Sequence, residues 1–102
     1  MIHVVATIKV KPGTREKFLG ILSGVAPQVR AEKGCIAYVP TVDVESGIPV
    51  QVELRADVVT IVEVWEGLPE LLAHLKAPHM LAYREKVKDI VKNVSLHVLT
   101  PA

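Results

Sequence analysis

The stretch "AHLKAPHMLAY", residues 73–83, sets His74 and His79 on either side of Pro78, with Tyr83 four positions beyond the second histidine. Imidazole titrates near neutral pH and also ligates metals. Two imidazoles around a helix breaker admit three readings: metal ligands, proton-transfer groups in a pocket, or ordinary partly buried side chains. A zinc-protease pair needs His at i and i+4 on one continuous helix, with a Glu between them. Here the spacing is five, a proline intervenes and no acidic residue lies between. No bound metal is therefore expected, even with Glu63 as a third donor. The bland reading leaves His74 on the surface and His79 half-buried. The functional reading makes one of them a base, His79 first and His74 second. His79 and Tyr83, at i and i+4, share a helix face.

The stretch "VVTIVEVW", residues 58–65, supplies the second candidate group. Strand alternation puts Glu63 and Trp65 on the face of Ile61. A carboxylate on an otherwise apolar face must find a partner or take up a proton. A histidine from the broken helix is the expected partner. Trp65 is either core or a platform for a flat ligand. In "CIAYVPTVDV", residues 35–44, Tyr38 shares a face with Ile36 and either lines a pocket or reaches solvent. Cys35 falls on the opposite face with Ala37 and Val39. With no activating cation evident, it reads as a small core residue rather than a nucleophile.

These groups need elements to position them. "IHVVATIKVKPG" is β-branched and ends in a Pro-Gly turn, which reads as a strand. In residues 14–34, Phe18, Leu22, Val25 and Val29 recur at helical spacing, and Gly34 supplies the stop. Thr14 and Lys17 make half a capping box. Pro27 inside the pattern implies a kink or a restarted helix. Residues 35–44 and 58–65 read as strands, and 45–57 as a loop with a short strand at 50–54. "LPELLAHLK" and "PHMLAYREKVKDIVK" read as one helix broken at Pro78, with Pro78 in the first turn of the second piece and Ala77 forced out of helical geometry. Met80, Tyr83, Val87, Ile90 and Val94 form its inward stripe. Residues 93–101 alternate as the last strand.

The order β-α-β-β-α-β is the ferredoxin-like split βαβ pattern, an α+β fold with an antiparallel sheet and helices on one face. The other face would carry Val5, Val39 and Leu99, with His3 and His97 on neighbouring strands. A second copy of the chain is the expected cover.

Composition narrows the class. The chain has 102 residues, half of them hydrophobic and 23% charged, with a net charge of +1. That describes one globular domain over residues 1–102, with no basic run to favour nucleic acid. One cysteine excludes an internal disulfide and fits a reducing cytoplasm. No apolar run is long enough to span a membrane. The N-terminal stretch lacks a basic segment followed by an apolar one, so no signal peptide is expected.

"VKPG", "AEKGCIAYVP", "IVEVWE", "AHLKAPHMLAY" and "HVLTPA", in that order, resemble the antibiotic biosynthesis monooxygenase family, and within it the bacterial quinol monooxygenases. The resemblance implies a dimeric α+β barrel with a pocket between each sheet and its helices. It implies cofactor-independent oxidation of an electron-rich aromatic, such as a quinol, by molecular oxygen. Haem-degrading relatives carry a polar Asn on the first strand; Ala6 stands there in this chain, against a haem reading. On this resemblance and the helix break, His79, His74 and Glu63 are the expected catalytic groups. Trp65, Tyr38, Tyr83 and Met80 are the expected substrate wall. Two other readings use the same pocket: a dimeric binding or sensing module without turnover, and an isomerase of small carbonyl compounds.

Overall fold

The computed structural model describes all 102 residues. The order is β1 (Ile2–Val10), α1 (Arg15–Arg30), β2 (Cys35–Thr41), β3 (Val58–Trp65), α2 (Leu68–Leu75), α3 (Pro78–Val87) and β4 (Val91–Leu99). The strands form one sheet in the order β2-β3-β1-β4, every neighbouring pair antiparallel. This is the α+β ferredoxin-like fold, with the second helix in two pieces.

Alternation sorts the side chains as strand geometry requires. Val4, Ala6, Ile8 and Val10 of β1 are buried, as are Val59, Ile61, Glu63 and Trp65 of β3. Phe18, Leu22, Val25 and Val29 of α1 pack onto this face, joined by Met80, Tyr83 and Val87 of α3. The helices do not extend over the edge strand. Val94, Leu96 and Val98 of β4 pair with Ile8, Ala6 and Val4, yet remain 52%, 44% and 47% exposed.

The reverse face is open. Val39 and Val62 are 49% and 43% exposed there, and Leu99 is 48% exposed. His97 stands opposite Val5, and His3 opposite Leu99, both on this face as the sequence implies.

Several boundaries differ from the sequence reading. α1 runs without interruption through Pro27. Thr14 is its N-cap, but the hydroxyl donates back to the Lys11 carbonyl at 2.6 Å and caps nothing. α3 stops at Val87, where the chain turns through an Ile90 N–H to Val87 carbonyl bond. Val94 therefore belongs to β4, not to a helical stripe. No strand forms at 50–54. Residues 42–57 are instead an arm held by its own polar contacts: Arg55 grips both carboxylate oxygens of Asp43 at 2.9 Å, and Gln51 donates to the Val44 carbonyl at 2.7 Å. A strand needs a neighbour's backbone, and residues 50–54 have no strand partner within the chain.

Candidate functional site

The break at Pro78 answers the spacing of the histidines. On one continuous helix, residues five apart point about 140° away from each other. Here α2 ends at Leu75, Ala77 takes the extended conformation (φ −61, ψ 140), and α3 starts again at Pro78. His74 closes the last turn of α2 and His79 opens the first turn of α3. Both reach one acceptor: Glu32 Oε2 lies 2.8 Å from His74 Nδ1 and 2.8 Å from His79 Nε2.

Glu32 sits in the turn between α1 and β2, its N–H bonded to the Val29 carbonyl. Gly34 makes this turn possible. Its φ is +81, and a Cβ there would lie 2.4 Å from Glu70 Cγ. On the other side of the turn, Arg30 donates from Nε and Nη2 to the Tyr38 carbonyl at 3.2 and 3.0 Å. One short segment thus fixes both the carboxylate that orients the histidines and the strand that carries Tyr38.

Two expectations about the strand faces change. Ile36 is the extra residue of a bulge: Cys35 pairs with Trp65, but Ala37 pairs with Val64. The bulge turns Cys35 to the helix side with Tyr38, where it packs against the core. Without it, alternation would separate the two, as the sequence reading had it. Burial, the first cause, together with the negative charges of Glu32 and Glu63, raises the Cys35 thiol, consistent with an unreactive side chain.

Glu63 is 4% exposed, and its partner is not a histidine. The Trp65 indole Nε1 donates to Glu63 Oε1 at 3.0 Å, while both histidines take Glu32. Burial drives the Glu63 carboxyl up to about 7, against the lowering effect of the indole bond. Near neutral pH it is therefore poised between acid and anion.

A cavity of about 440 Å³ lies between the inner sheet face and α2 and α3. Ala6, Ile8, Ile61 and Met80 supply apolar wall, and the mouth opens over Val94 and Leu96 of β4. His74, Glu63, Tyr38 and Tyr83 also line it. All four are at least nine-tenths buried. His74 Nε2, Glu63 Oε2 and the two tyrosine hydroxyls have no hydrogen-bond partner in the chain. No sealed side-chain polar atom lacks a partner, so these four keep contact with open space. The space beside them is the cavity. Four polar atoms thus converge on a mostly apolar chamber, as in a small-molecule site. Exposed Arg84 and Lys88 add positive charge at its edge.

The expected site residues divide accordingly. Tyr38, Tyr83, Met80, Glu63 and His74 share the cavity. Trp65 does not line it. It is fully buried, its ring 4.7 Å from that of His74, where it braces the imidazole and holds Glu63. His79 faces a separate groove of about 420 Å³ between α1 and α3. The exposure of the histidines is the reverse of the bland reading: His74 is 2% exposed, and His79 is the more open of the two. Glu32 was missed. Its signal was the placement of an acid two residues before a helix-ending glycine, which means little until the fold brings the broken helix to it.

Neutral His74 suits a base. Burial, the largest cause, lowers its pKa from 6.5, opposed by the Glu32 bond. With the Nδ1 proton on Glu32, the lone pair of Nε2 faces the cavity. Tyr83 is pushed up to about 12 by burial, and Tyr38 is raised by burial and the Glu63 charge. Both stay protonated and can only be hydrogen-bonding groups near neutral pH.

The fold and this site define a small α+β protein with one polar-lined pocket between its sheet and its helices. Residues 1–86 match the family model "Antibiotic biosynthesis monooxygenase", and the chain belongs to that family. It is 37% identical over 103 residues to the probable quinol monooxygenase YgiN of Escherichia coli K12, covering 99% of this chain and 98% of that protein. Among solved structures, PA3566 from Pseudomonas aeruginosa superposes with a TM-score of 0.80 at 23% identity, over 99% of this chain and 93% of the other. Rv0793 from Mycobacterium tuberculosis gives 0.80 at 24% identity, over 99% and 94%. These two likenesses establish the fold alone. No helix is long and apolar enough to cross a membrane.

Proposed function

We propose that the chain oxidises a quinol or similar electron-rich aromatic with molecular oxygen, using neither flavin nor metal. The observation that carries this reading is the set of four polar atoms without partners, on largely buried side chains, that meet an apolar cavity sized for one or two fused rings. The likeness to a probable quinol monooxygenase supports the substrate class.

The balance of the reaction suits a site of this kind. A hydroquinone and one O₂ give a hydroxyquinone and one water. The ring supplies all four electrons, so no outside reductant is needed. Ionisation of the quinol is the demanding step, because the anion is the better electron donor. A phenol near ~10 and an imidazole near ~6.5 differ by about 3.5 units, roughly 5 kcal/mol. His74 Nε2 takes the proton, and Glu32 stabilises the imidazolium as it forms. The two tyrosine hydroxyls donate to the quinolate oxygen, and Arg84 with Lys88 favours the anion electrostatically. Glu63, in its protonated form, adds a third donor. The apolar wall of Ala6, Ile61 and Met80 keeps water from the anion.

We also propose that two copies pair through the open sheet face, where Val39, Val62 and Leu99 would otherwise stand in water. The test of function is oxygen uptake by metal-free protein given a naphthoquinol, measured above the spontaneous background. Uptake that never exceeds the background removes the catalytic reading and leaves a binding module.

A further inference from the structure

We propose that His74, Glu32 and His79 form a proton relay that carries the substrate proton from the cavity to the groove between α1 and α3. This rests on the reading of His74 as base, and adds the route by which a proton leaves the site.

The geometry is continuous. His74 presents Nε2 to the cavity and Nδ1 to Glu32 Oε2, at 2.8 Å. The same oxygen meets His79 Nε2, again at 2.8 Å. Side-chain exposure rises along the chain of groups, from 3% at His74 to 14% at Glu32 and 20% at His79. The His79 ring then lines the second groove, whose lining has only Tyr83 in common with the cavity. Gly20 and Gly24 of α1 also border that groove, and a Cβ at either would meet nothing within 4 Å. The far end of the relay is therefore open to solvent while its near end is buried.

A lone buried base would face a difficulty that the relay removes. The imidazolium formed on His74, 2% exposed and facing a bound ring, has no direct path to bulk solvent. In the relay, the substrate O–H bond breaks and an N–H bond forms at His74 Nε2. The Nδ1–H bond of the same ring breaks and its proton moves to Glu32. Glu32 passes that proton to His79 Nε2, which takes it in the Nδ1–H tautomer, and the Nδ1 proton of that ring leaves to water. The net change is a phenolate in the cavity, one proton in bulk solvent and a switch of tautomer in each ring, with no electron moved. A single histidine with a carboxylate would orient the base; the second histidine is needed only if the proton is to travel.

The test separates the relay from the site it serves. A chromophoric nitrophenol is mixed with the protein below the pKa of the phenol. Absorbance reads the bound phenolate, and a pH indicator in weak buffer reads the proton released. In the wild type both signals should rise together. His79→Gln keeps a donor for Glu32 and Glu32→Gln keeps an acceptor for His74, yet neither can carry the proton. Each should slow proton release on the order of 10-fold or more. The double variant should be no slower than the worse single one, since the groups act in series. Added imidazole should restore His79→Gln, whose groove is open, and not Glu32→Gln. Release from His79→Gln as fast as wild type, or slowing that imidazole cannot relieve, overturns the relay and leaves His74 as base. Wild-type protein that binds nitrophenol without ionising it removes His74 as base, and the relay with it.

Discussion

Replacing Glu63 with Gln should make the protein more stable above neutral pH and change the shape of its pH–stability curve. The carboxyl is 4% exposed and accepts one hydrogen bond, from the Trp65 indole. Its pKa rises from 4.5 to about 7 in the fold, chiefly through burial. Between those values the folded state binds more protons than the unfolded state. Stability therefore falls as pH rises through this window, and the loss is complete above the folded pKa. The difference of about 2.5 units corresponds to roughly 3 kcal/mol. Gln cannot ionise, and its Oε1 can still accept the indole proton, so the variant keeps the contact and escapes the penalty.

The measurement is denaturant unfolding of both proteins from about pH 4 to about pH 8, at one protein concentration so that any association cancels. The stability of wild type minus that of Glu63→Gln should fall by about 3 kcal/mol across the range. His74 contributes with the opposite sense. Its folded pKa lies below 6.5, so its stability contribution is lost as pH falls. Both proteins carry His74, and its effect drops out of the difference. A flat difference would mean that Glu63 is solvated. The case for a convergent polar site in an apolar cavity would then lose one of its four atoms.

His74→Gln should lower oxygen-consuming turnover of a naphthoquinol on the order of 100-fold, as loss of a general base does, and should flatten the acid limb of the stability curve below about 6.5. Trp65→Phe deletes the only donor to Glu63. It should cost about 1–3 kcal/mol in unfolding experiments above neutral pH, and push the Glu63 titration further up. Tyr38→Phe should raise the KM for quinol more than it lowers stability, because the hydroxyl bonds to nothing in the chain; unchanged kinetics would remove it from the site. Sedimentation at micromolar concentration should show twice the chain mass, and a clean monomer would count against pairing through the open sheet face.

How much of this was legible in the sequence depends on the range over which each feature is decided. β3 was plain, since β-branched alternation is local and fixes both its limits and the inward placement of Glu63 and Trp65. The break at Ala77–Pro78 was equally plain, because a proline constrains its neighbour whatever the fold. The bulge at Ile36 could not be read. Two faces of a short strand differ by one inserted residue, and the insertion is settled by pairing with β3. Residues 50–54 alternate as a strand would, with Val50, Val52 and Leu54 at every second position, yet they are 90%, 71% and 46% exposed and pair with nothing in the chain. Glu63 and Glu32 show the same limit in the site itself. The argument that a buried carboxylate needs a partner was sound for Glu63, but the pairing was misassigned and Glu32 was missed, because partners are selected only after the fold has placed them. His74 and His79 lie 42 and 47 residues from Glu32 in the chain. Residue type and spacing therefore pointed to the kinds of group the site holds, imidazole and carboxylate. Which imidazole faces the cavity, and which faces the groove, was decided by a turn at the far end of α1.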